Sequence, residues 1–425
     1  MTLSLSPAAA RAIERLEEAG FEAYAVGGAV RDFLLGADCQ DTDLTTNATL
    51  LQIEHIFRDC KITRYKKGHT LGIVLNHTYL EISSFDGNTL LEDLANRDFT
   101  INAMAYHPSK GIIDPYDGRK ALQDGRIQTI KEPLEVITKD PIRILRAIRF
   151  AGALGFTLDS RLKDCILAYC DLLKRVCPKR YRKEIDSILL LDKPSIVLRE
   201  YLPVFGVVFP ALKKTQGFLQ HTRWHHLDVF EHILCVVDTV RPILILRLAA
   251  LFHDIEKPQC FTMDEEGVGH FYQHYALSAQ TAKAYMTQLG YSEELIGRVY
   301  RLVYYHDRQI PLNQKGILHF LHDFKDKDLS YLFELKRADI CGQNPELLYR
   351  LQDIDRLAEL TAEVLAKKEA FTIHQLNIQG NQLKSLGFAG EEIGDTLNEM
   401  LELVMDNRLD NSLPALIEYA KNRKR

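Results

Sequence analysis

Residues 27–36 read Gly-Gly-Ala-Val-Arg-Asp-Phe-Leu-Leu-Gly, and residues 41–43 read Asp-Thr-Asp. The apolar residues 24–26 in front of the glycines predict a strand that ends in a tight turn. Asp41 and Asp43 are two residues apart, so on a strand both side chains point to the same face. Two converging carboxylates suit Mg²⁺, which takes its other ligands from water and substrate phosphates. The stretch therefore predicts a site for phosphates and a divalent cation, with solvated turn residues as the simpler alternative.

Three further motifs follow along the chain. Residues 92–103 read Glu-Asp-Leu-Ala-Asn-Arg-Asp-Phe-Thr-Ile-Asn-Ala, residues 114–118 read Asp-Pro-Tyr-Asp-Gly, and residues 143–150 read Arg-Ile-Leu-Arg-Ala-Ile-Arg-Phe. With the glycine stretch they resemble, in order, the motifs of the class II tRNA nucleotidyltransferases and bacterial poly(A) polymerases of the polymerase β-like superfamily. The resemblance implies an enzyme that adds cytidines from CTP to the 3′ end of tRNA and releases pyrophosphate.

The composition fits a cytoplasmic protein of several domains. A length of 425 residues predicts about two to four domains. No run is long enough to cross a bilayer, and Ser6, Pro7 and Gly20 predict a folded first helix rather than a signal peptide. Eight cysteines without a CxxC pair favour reduced thiols in a cytoplasm. The sequence makes no prediction of oligomeric state.

The net charge of −5 means that any RNA-binding cations must be gathered locally. The densest basic cluster lies in residues 174–183 and contains Lys179, Arg180 and Arg182. We expect these three side chains to contact RNA, and a solvated face is the alternative.

Hydrophobic periodicity predicts an α+β head followed by a helical remainder. Residues 21–26, 72–75 and 79–83 are strand-like, with a hairpin turn at 76–78, whereas residues 141–154, 162–173, 180–191 and 246–252 have helical spacing. Together with the family layout, this predicts a nucleotidyltransferase head (1–150), a helical neck (151–215), an HD-type helical domain (216–325) and a helical tRNA-binding tail (326–425).

The resemblance assigns catalysis to carboxylates of the head. Asp41 and Asp43 would hold Mg²⁺ between the incoming triphosphate and the attacking 3′-hydroxyl. Glu81 alternates with apolar neighbours on its strand and is the candidate third carboxylate of a two-metal arrangement. Its alternative is a charged residue on the wet face of a hairpin.

Nucleotide binding is predicted for four segments of the head. The glycine stretch would hold the triphosphate through backbone N–H groups and one guanidinium, and residues 97–102 match family positions that contact phosphate and ribose. Asp98 could instead cap a helix over residues 99–105. The predicted nucleotide-binding residues are Gly27, Gly28, Arg31, Arg97, Asp98, Asn102, Asp140, Arg143, Arg146 and Arg149.

Base selection in the family resembles a protein template in the pattern ED-x-x-R. Here the pattern reads Lys139-Asp140-Pro141-Ile142-Arg143, so Lys139 replaces the glutamate. At i and i+3, Asp140 and Arg143 are expected on one face of a helix, where they can offer an acceptor and a fork of donors to a base.

A short segment, residues 86–91, separates the third strand from the second motif. Full CCA-adding members of the family carry a longer, flexible, basic segment here, and its absence is the family's mark of enzymes that add only two cytidines. We therefore expect CC addition from CTP. Full CCA addition from CTP and ATP is the alternative, because surface loops tolerate length changes.

Ten of the fifteen histidines lie between residues 221 and 322. His232, the pair His253-Asp254 and His274, with His270 and His306, resemble the spaced ligands of an HD-type phosphohydrolase domain. His232, His253, Asp254 and His274 are the candidate ligands of a second divalent metal. A helical body that has lost its metal is the alternative. Two other functions stay open: a phosphohydrolase acting on nucleotides or 2′,3′-cyclic phosphates, and a poly(A) polymerase.

Overall fold

A computed structural model describes residues 5–37, 43–65, 68–324 and 328–424. The chain forms two compact units, one of residues 1–191 and 200–208 and the other of residues 192–199 and 209–425. The first unit has a mixed sheet with helices, and the second is mainly helical. The predicted α+β class, a mixed head followed by helices, is confirmed. The division into four domains stays a prediction.

A seven-stranded sheet organises the head in the order β3-β4-β5-β2-β1-β6-β7. Neighbouring strands are antiparallel except β2 and β5, which are parallel. The strands are β1 (Ala23–Val26), β2 (Asp43–Thr46), β3 (Lys61–Arg64), β4 (Thr70–Leu75), β5 (Thr78–Ser84), β6 (Ala105–His107) and β7 (Gly111–Ile113).

Helices up to residue 208 are short or moderate in length. They are α1 (Pro7–Glu18), α2 (Gly28–Leu34), α3 (Leu50–Ile56), α4 (Leu90–Ala95), α5 (Gly118–Gln123), α6 (Pro133–Lys139), α7 (Arg143–Leu154), α8 (Ser160–Tyr169), α9 (Tyr181–Leu189), α10 (Pro194–Glu200) and α11 (Leu202–Val208). A two-residue parallel pair, β8 (Arg126–Ile127) and β9 (Thr157–Leu158), also lies in this region.

Most of the predicted elements are confirmed. Ser6 caps α1 by accepting a hydrogen bond from the backbone N–H of Ala9, and Pro7 occupies the first helical position. The hairpin between β4 and β5 turns on Asn76 and His77, which both have positive φ. Helices α7 and α9 lie within the ranges with helical spacing, and α8 overlaps the range 162–173 but begins at Ser160.

One prediction in this region is wrong. Asp140 and Arg143 do not share a helical face, because Asp140 follows the end of α6 with an extended backbone (φ −149°, ψ 99°) and α7 begins only at Arg143. The reason is Pro141, since a proline disfavours the helical conformation of the residue before it.

The second unit is built from helices and one small hairpin. The hairpin strands are β10 (Phe261–Met263) and β11 (Gly269–Phe271). Helix α10 lies almost wholly in this unit. The other helices are α12 (Pro210–Lys214), α13 (Val229–Thr239), α14 (Leu244–Phe252), α15 (His274–Leu289), α16 (Glu293–Tyr305), α17 (Gln314–Phe324), α18 (Leu329–Cys341), α19 (Leu351–Ala366), α20 (Gly380–Ser385), α21 (Glu391–Met405) and α22 (Leu413–Lys424).

Helix α14 lies at the centre of the second unit. Every residue from Ile245 to Phe252 is buried, which fits a helix that is apolar on nearly all sides. His253 and Asp254 follow directly at its C-terminal end, as predicted. Among the described helices, none has both the length and the apolar composition needed to span a membrane.

Candidate functional site

A cleft of about 950 Å³ in the first unit collects most of the predicted nucleotide-binding residues. It is lined by the glycine turn, the start of β2, residues 96–102, the beginning of α7 and residues 179–184. The predicted residues that line it are Gly27, Gly28, Arg31, Asp43, Arg97, Asp98, Asn102, Asp140, Arg143, Arg146, Arg149, Lys179 and Arg180. Residues far apart in sequence therefore meet around one cavity.

The cleft is strongly basic. Among the described residues that line it, eight are lysine or arginine and four are aspartate or glutamate, a formal net charge of +4. Low-dielectric walls of one sign attract and concentrate ligands of the opposite charge. The electrostatics of the cleft therefore favour a polyanion such as a triphosphate.

The glycine turn needs glycine at position 27. Gly27 has φ +70° and ψ −126°, and a Cβ added there would lie 3.2 Å from Nη1 of Arg97. Its backbone N–H already donates to the carbonyl of Met104 (3.3 Å). Because Gly27 has no side chain, the backbone can lie close to Arg97. Its N–H is already bonded to Met104, so it is not the free donor to the triphosphate that the sequence predicted.

Strand pairing sets two of the predicted carboxylates side by side. Asp43, the first residue of β2, lies opposite Glu81 of β5 in the parallel register. Glu81 accepts a hydrogen bond from the Tyr65 hydroxyl (2.8 Å), and this hydroxyl also contacts that of Tyr79. Asp41 lies outside the described residues. Asp43 lines the cleft, whereas Glu81 is beside it on the sheet.

Asp98 is the buried centre of a polar network in the cleft. It accepts hydrogen bonds from Nδ2 of Asn102 (3.0 Å), Nε of Arg146 (2.8 Å) and the N–H of Phe99 (2.9 Å). Asn102 in turn accepts from Nη1 of Arg31 (2.7 Å). Burial alone would raise the pKa of Asp98, but the charge of Arg146 and these hydrogen bonds outweigh burial and lower it.

This network excludes the capping alternative for Asp98. Only a 3₁₀ turn, Thr100–Asn102, forms after it, with Phe99 as the preceding residue and no side-chain cap. The carboxylate instead fixes two side chains, Asn102 and Arg146, that face the cleft.

Other groups hold the two residues predicted to select the base. Nη2 of Arg143 donates to the carbonyl of Asn96 (3.0 Å), and Asp140 accepts from Nη2 of Arg180 (2.8 Å). Both side chains line the cleft. The pair is therefore positioned by neighbouring segments and not by a shared helix turn.

An aromatic ring supports three of the arginines. The guanidinium carbons of Arg31, Arg146 and Arg149 lie 5.0, 5.5 and 4.1 Å from the centre of the Phe150 ring. Nε of Arg149 also donates to buried Glu184 (2.6 Å). Such cation–π contacts restrict long side chains and keep their charge at the cleft.

Sequence reasoning missed several lining residues. Phe150 and Asn96 lie inside motifs that were recognised, Lys183 is the last residue of the basic cluster, and Glu184 follows it in α9. Arg182 is exposed and does not line the cleft, although it belongs to the same cluster. The helical repeat of α9 could have indicated which of these charges share a face.

Comparison with known proteins shows which proteins the head resembles in sequence. Residues 23–89 and 77–128 match the family described as the poly A polymerase head domain. A CC-adding tRNA nucleotidyltransferase of Shouchella clausii is 41% identical over 180 residues, which are 42% of this chain and 47% of that protein. The head is therefore similar to the poly A polymerase head domain and to a CC-adding tRNA nucleotidyltransferase.

Two further similarities are informative. A CCA-adding enzyme of Limosilactobacillus reuteri is 32% identical over 235 residues, which are 50% of this chain and 58% of that protein. The chain thus spans about half the length of these curated relatives. The crystal structure of the Bacillus stearothermophilus CCA-adding enzyme in complex with CTP matches with a TM-score of 0.64 at 21% identity, over 99% of this chain and 98% of that one. At this identity the structural match shows a common fold.

The short segment 86–91 is anchored at its first residue, Asp86. The N–H of Asp86 donates to Asp93 (2.9 Å), the Asp86 carbonyl accepts from Nδ2 of Asn96 (2.7 Å), and the Asp86 carboxylate pairs with Lys139 (3.2 Å). Lys139 directly precedes Asp140, so this ion pair connects Asp86 to the stretch of chain that carries Asp140.

A cluster of histidine and aspartate side chains, called the histidine cluster below, lies inside the second unit. His232 of α13, His253 and Asp254 after α14, His274 of α15, His306 after α16 and Asp339 of α18 converge there. Nε2 of His232 lies 3.1 Å from Nε2 of His253 and 3.0 Å from Oδ1 of Asp339. The four predicted ligands thus meet together with His306, whose spacing also resembled the HD pattern, and the structure adds Asp339.

A backbone carbonyl next to Nδ1 fixes the orientation of each imidazole. Nδ1 of His232, His253, His274 and His306 lies 2.6–3.0 Å from the backbone carbonyls of Gly342, Ala250, Phe271 and Val303, respectively. A neutral histidine that donates Nδ1–H keeps a lone pair on Nε2. Backbone anchoring of this kind is the usual outer shell of metal-binding histidines.

The charges in this cluster are strongly coupled. Burial disfavours the charged form of His232, but Asp254 and Asp339 outweigh burial and raise its pKa to about 9. Burial and the nearby Lys257 charge lower the pKa of His225 to about 2. Burial would raise the pKa of Asp254, but the neighbouring histidines and Lys257 lower it well below its usual range. The centre therefore holds carboxylates in the charged form that cations bind.

Two sequence expectations about this cluster need revision. His270, which the spacing also suggested, is on the hairpin strand β11 and pairs with Asp264 (2.8 Å) outside the cluster. Asp339 carries no local motif and was missed. Its only signal is its place on an amphipathic helix more than 80 residues after His253, which sequence alone cannot connect to the cluster.

Proposed function

We propose that this chain is a template-independent tRNA nucleotidyltransferase that adds cytidines to the tRNA 3′ end from CTP and releases pyrophosphate. The observation that carries the proposal is the basic cleft, which joins the glycine turn and Asp43 to the network around Asp98 and to Asp140 and Arg143. Phosphoryl transfer needs positioning and charge neutralisation more than covalent chemistry, and such a cleft can supply both.

Within this proposal the arginines bind the triphosphate. Arg31 and Arg146 are both fixed through Asn102 and Asp98, so their charges are already oriented before a nucleotide arrives. Arg97 approaches the glycine turn because Gly27 has no side chain. Preorganised donors of this kind need little reorganisation when charge develops on the phosphates.

Hard carboxylate oxygens at the edge of the cleft fit Mg²⁺. Asp43 and Asp41 would hold the ion, and Glu81, in register with Asp43, would assist. When bound, Mg²⁺ would neutralise phosphate charge and activate the attacking 3′-hydroxyl.

Base choice would rest on Asp140 and Arg143. Each side chain is held by one partner at the cleft wall and retains further donor or acceptor positions toward the cavity. Lys179 and Arg180, with Arg182 nearby, would bind the tRNA backbone.

The short segment 86–91 supports CC addition. Its first residue, Asp86, contacts Asp93, Asn96 and Lys139. A segment that is this short and is anchored at its start would not reorient Asp140 and Arg143 for a second base. The alternatives are a full CCA-adding enzyme that uses CTP and ATP, and a poly(A) polymerase that grows long adenosine tails on unrelated RNA.

A nucleotide-incorporation assay tests the proposal. We expect the purified chain with Mg²⁺ to add labelled CTP to tRNA that lacks its 3′ CCA, and to add almost no ATP to tRNA that ends in CC. Asp43→Ala should abolish incorporation, whereas Asp124→Ala, at an exposed aspartate outside the cleft, should not. No incorporation by the wild type would overturn the proposal. Efficient addition of a terminal adenosine would favour the CCA-adding alternative.

The histidine cluster supports a second candidate function, an HD-type metal-dependent phosphohydrolase acting on nucleotides or 2′,3′-cyclic phosphates. The specific observation is that four anchored imidazoles turn Nε2 toward Asp254. We expect metal-stimulated phosphate release that is lost in His253→Ala and retained in Asp43→Ala. Release that instead follows Asp43 would exclude the cluster as its source.

A further inference from the structure

We propose that two tyrosines on the open face of the head sheet, Tyr65 and Tyr79, bind the 3′-terminal base of the RNA acceptor by stacking. We call these two side chains the tyrosine platform. The inference rests on the proposed function and names the surface that holds its second substrate. Neither tyrosine was among the predicted site residues, and neither lines the cleft.

One face of strands β4 and β5 carries the platform beside a predicted carboxylate. Alternation along β5 places Tyr79 and Glu81 on this face, whereas Leu80 and Ile82 are buried on the other. Gly72 of β4 pairs with Glu81, and a Cβ added at Gly72 would lie only 2.7 Å from Cζ of Tyr79. The Tyr79 ring therefore lies across β4, in the space that the missing side chain leaves.

The hydroxyl groups of the platform lead to Glu81. The Tyr65 hydroxyl donates to Oε1 of Glu81 (2.8 Å). Because a hydroxyl has only one proton, the Tyr65 oxygen accepts from the Tyr79 hydroxyl, which it also contacts. Each tyrosine is nevertheless 43% exposed. The polar ends are thus anchored while ring surface stays accessible to a planar ligand.

The strand order separates the platform from the triphosphate side of the site. Strand β2, which begins with Asp43, lies between β1 and β5. The glycine turn follows β1, and Glu81 of β5 is opposite Asp43 in the register. In phosphoryl transfer the attacking and leaving oxygens are roughly in line, so the acceptor approaches from the side opposite the pyrophosphate. With the triphosphate at the glycine turn, the face around Glu81 is the side that receives the acceptor.

Stacking suits an acceptor whose last base changes during the reaction. Each addition presents a new terminal nucleotide, and a site that read the edge of one base would fit only one step. Stacking tolerates the change because every base has a π-face. Lys61 of β3 is exposed and lies in the same row of the sheet as Val74 and Tyr79, where it offers a charge for a backbone phosphate. The platform therefore fits a single-stranded RNA end.

Acceptors with and without a terminal base test the proposal on the full-length chain. We expect the wild type to use tRNA lacking its 3′ CCA about tenfold more efficiently (kcat/KM) than the same RNA with an abasic 3′-terminal ribose, as expected for one stacked base. Tyr79→Ala should remove this difference without changing KM for CTP, and Tyr79→Phe, which keeps the ring, should retain the difference. Tyr169→Ala, at a tyrosine of the same unit that is 45% exposed, should retain both incorporation and the difference.

Each outcome decides one point. Equal use of the two acceptors by the wild type would overturn the platform and leave the proposed function standing. Losses from Tyr79→Ala and from the abasic end that multiply independently would also overturn the platform. No incorporation by the wild type would overturn the proposed function and the platform with it. If circular dichroism shows that Tyr79→Ala does not fold, Tyr79→Leu replaces it, because leucine covers Gly72 without an aromatic ring, and should also remove the difference.

Discussion

At the scale of single residues, the cleft depends on one position without a side chain. Gly27 has a backbone conformation that is almost restricted to glycine, and it lies against Nη1 of Arg97. Gly36 has nearly the same φ, +72°, but an added Cβ there meets nothing within 4 Å. Comparing an alanine substitution at Gly27 with one at Gly36 therefore separates the effect of backbone strain from the effect of crowding in the cleft.

We predict that Gly27→Ala lowers CTP incorporation at least tenfold and destabilises the first unit by about 1–3 kcal/mol, because backbone strain and displacement of Arg97 add together. Gly36→Ala should cost only about 1 kcal/mol of strain and retain incorporation. Urea unfolding followed by circular dichroism and the incorporation assay measure the two effects. A Gly27→Ala chain with wild-type incorporation would show that close approach is not required.

Asp98 should make the first unit sensitive to acid. Its pKa is lowered in the folded state, so its contribution to stability is present above the unfolded value of 3.8 and is lost as pH falls through the folded value. We predict that Asp98→Asn costs about 1.5–3 kcal/mol at pH 7, the range for hydrogen bonds to charged groups. The difference from wild type should shrink below about pH 4.

The control for Asp98 lies in the same cleft. Asp140 is paired with the largely exposed Arg180, and pairs of this kind contribute about 0–1 kcal/mol. Asp140→Asn should therefore change urea unfolding at pH 7 much less than Asp98→Asn. Equal losses in the two variants would contradict the assignment of Asp98 as the buried centre of the network.

Sequence reasoning works at this scale when residues belong to one local motif. The glycine stretch, residues 97–102 and the arginines of α7 all carry recognisable spacing, and they line the cleft. Asp339 and Glu184 carry none, because each is positioned by a helix that packs against its partners across a long sequence separation. Periodicity places such a residue on a helix face but does not indicate what that face meets.

At the scale of elements, most correct predictions of helices and turns rested on a few residues that are adjacent in sequence. The caps of α1, the hairpin of β4 and β5, and the apolar helix α14 each follow from a few adjacent residues. The expectation for Asp140 and Arg143 failed at the same scale, since spacing at i and i+3 was considered without the effect of Pro141 on the residue before it. A proline inside a helical pattern should have moved the helix start to Arg143.

The hairpin turn offers a test of element stability. Asn76 and His77 have φ of 49° and 62°, the requirement of a type I′ turn, in which Asn-Gly is the preferred pair. We predict that His77→Gly stabilises the hairpin by about 0.5–1 kcal/mol, because glycine adopts positive φ without a steric penalty. Hydrogen exchange of β4 and β5 measures the change. Thr78→Gly, one residue later in the strand, should give faster exchange instead.

At the scale of the whole molecule, the chain combines two chemistries in two compact units. The cleft residues all belong to the first unit, and the histidine cluster belongs to the second. Sequence motifs predicted both clusters because each began with a recognisable local pattern. Asp339 was not predicted, since its place beside His232 depends on how α18 packs against α13.

The single tryptophan, Trp224, provides a fluorescence signal that comes from the second unit alone. Trp224 is next to His225 of the cluster, and its carbonyl accepts a hydrogen bond from the N–H of Asn344. Indole fluorescence therefore reports unfolding of the second unit, whereas circular dichroism reports both units. Ions that bind only the folded state raise its stability by about 2.7 kcal/mol at a hundred times the dissociation constant.

We predict that Mn²⁺ raises the midpoint of the indole unfolding transition in the wild type and equally in Asp43→Ala, because the stabilising ions lie in the second unit. His253→Ala should unfold at the same midpoint with and without Mn²⁺, since it lacks a ligand adjacent to Asp254 and Asp339. Chelator should reverse the shift in the responding chains. A midpoint that responds to Mn²⁺ in His253→Ala but not in Asp43→Ala would place the stabilising ion in the head and contradict metal binding by the cluster.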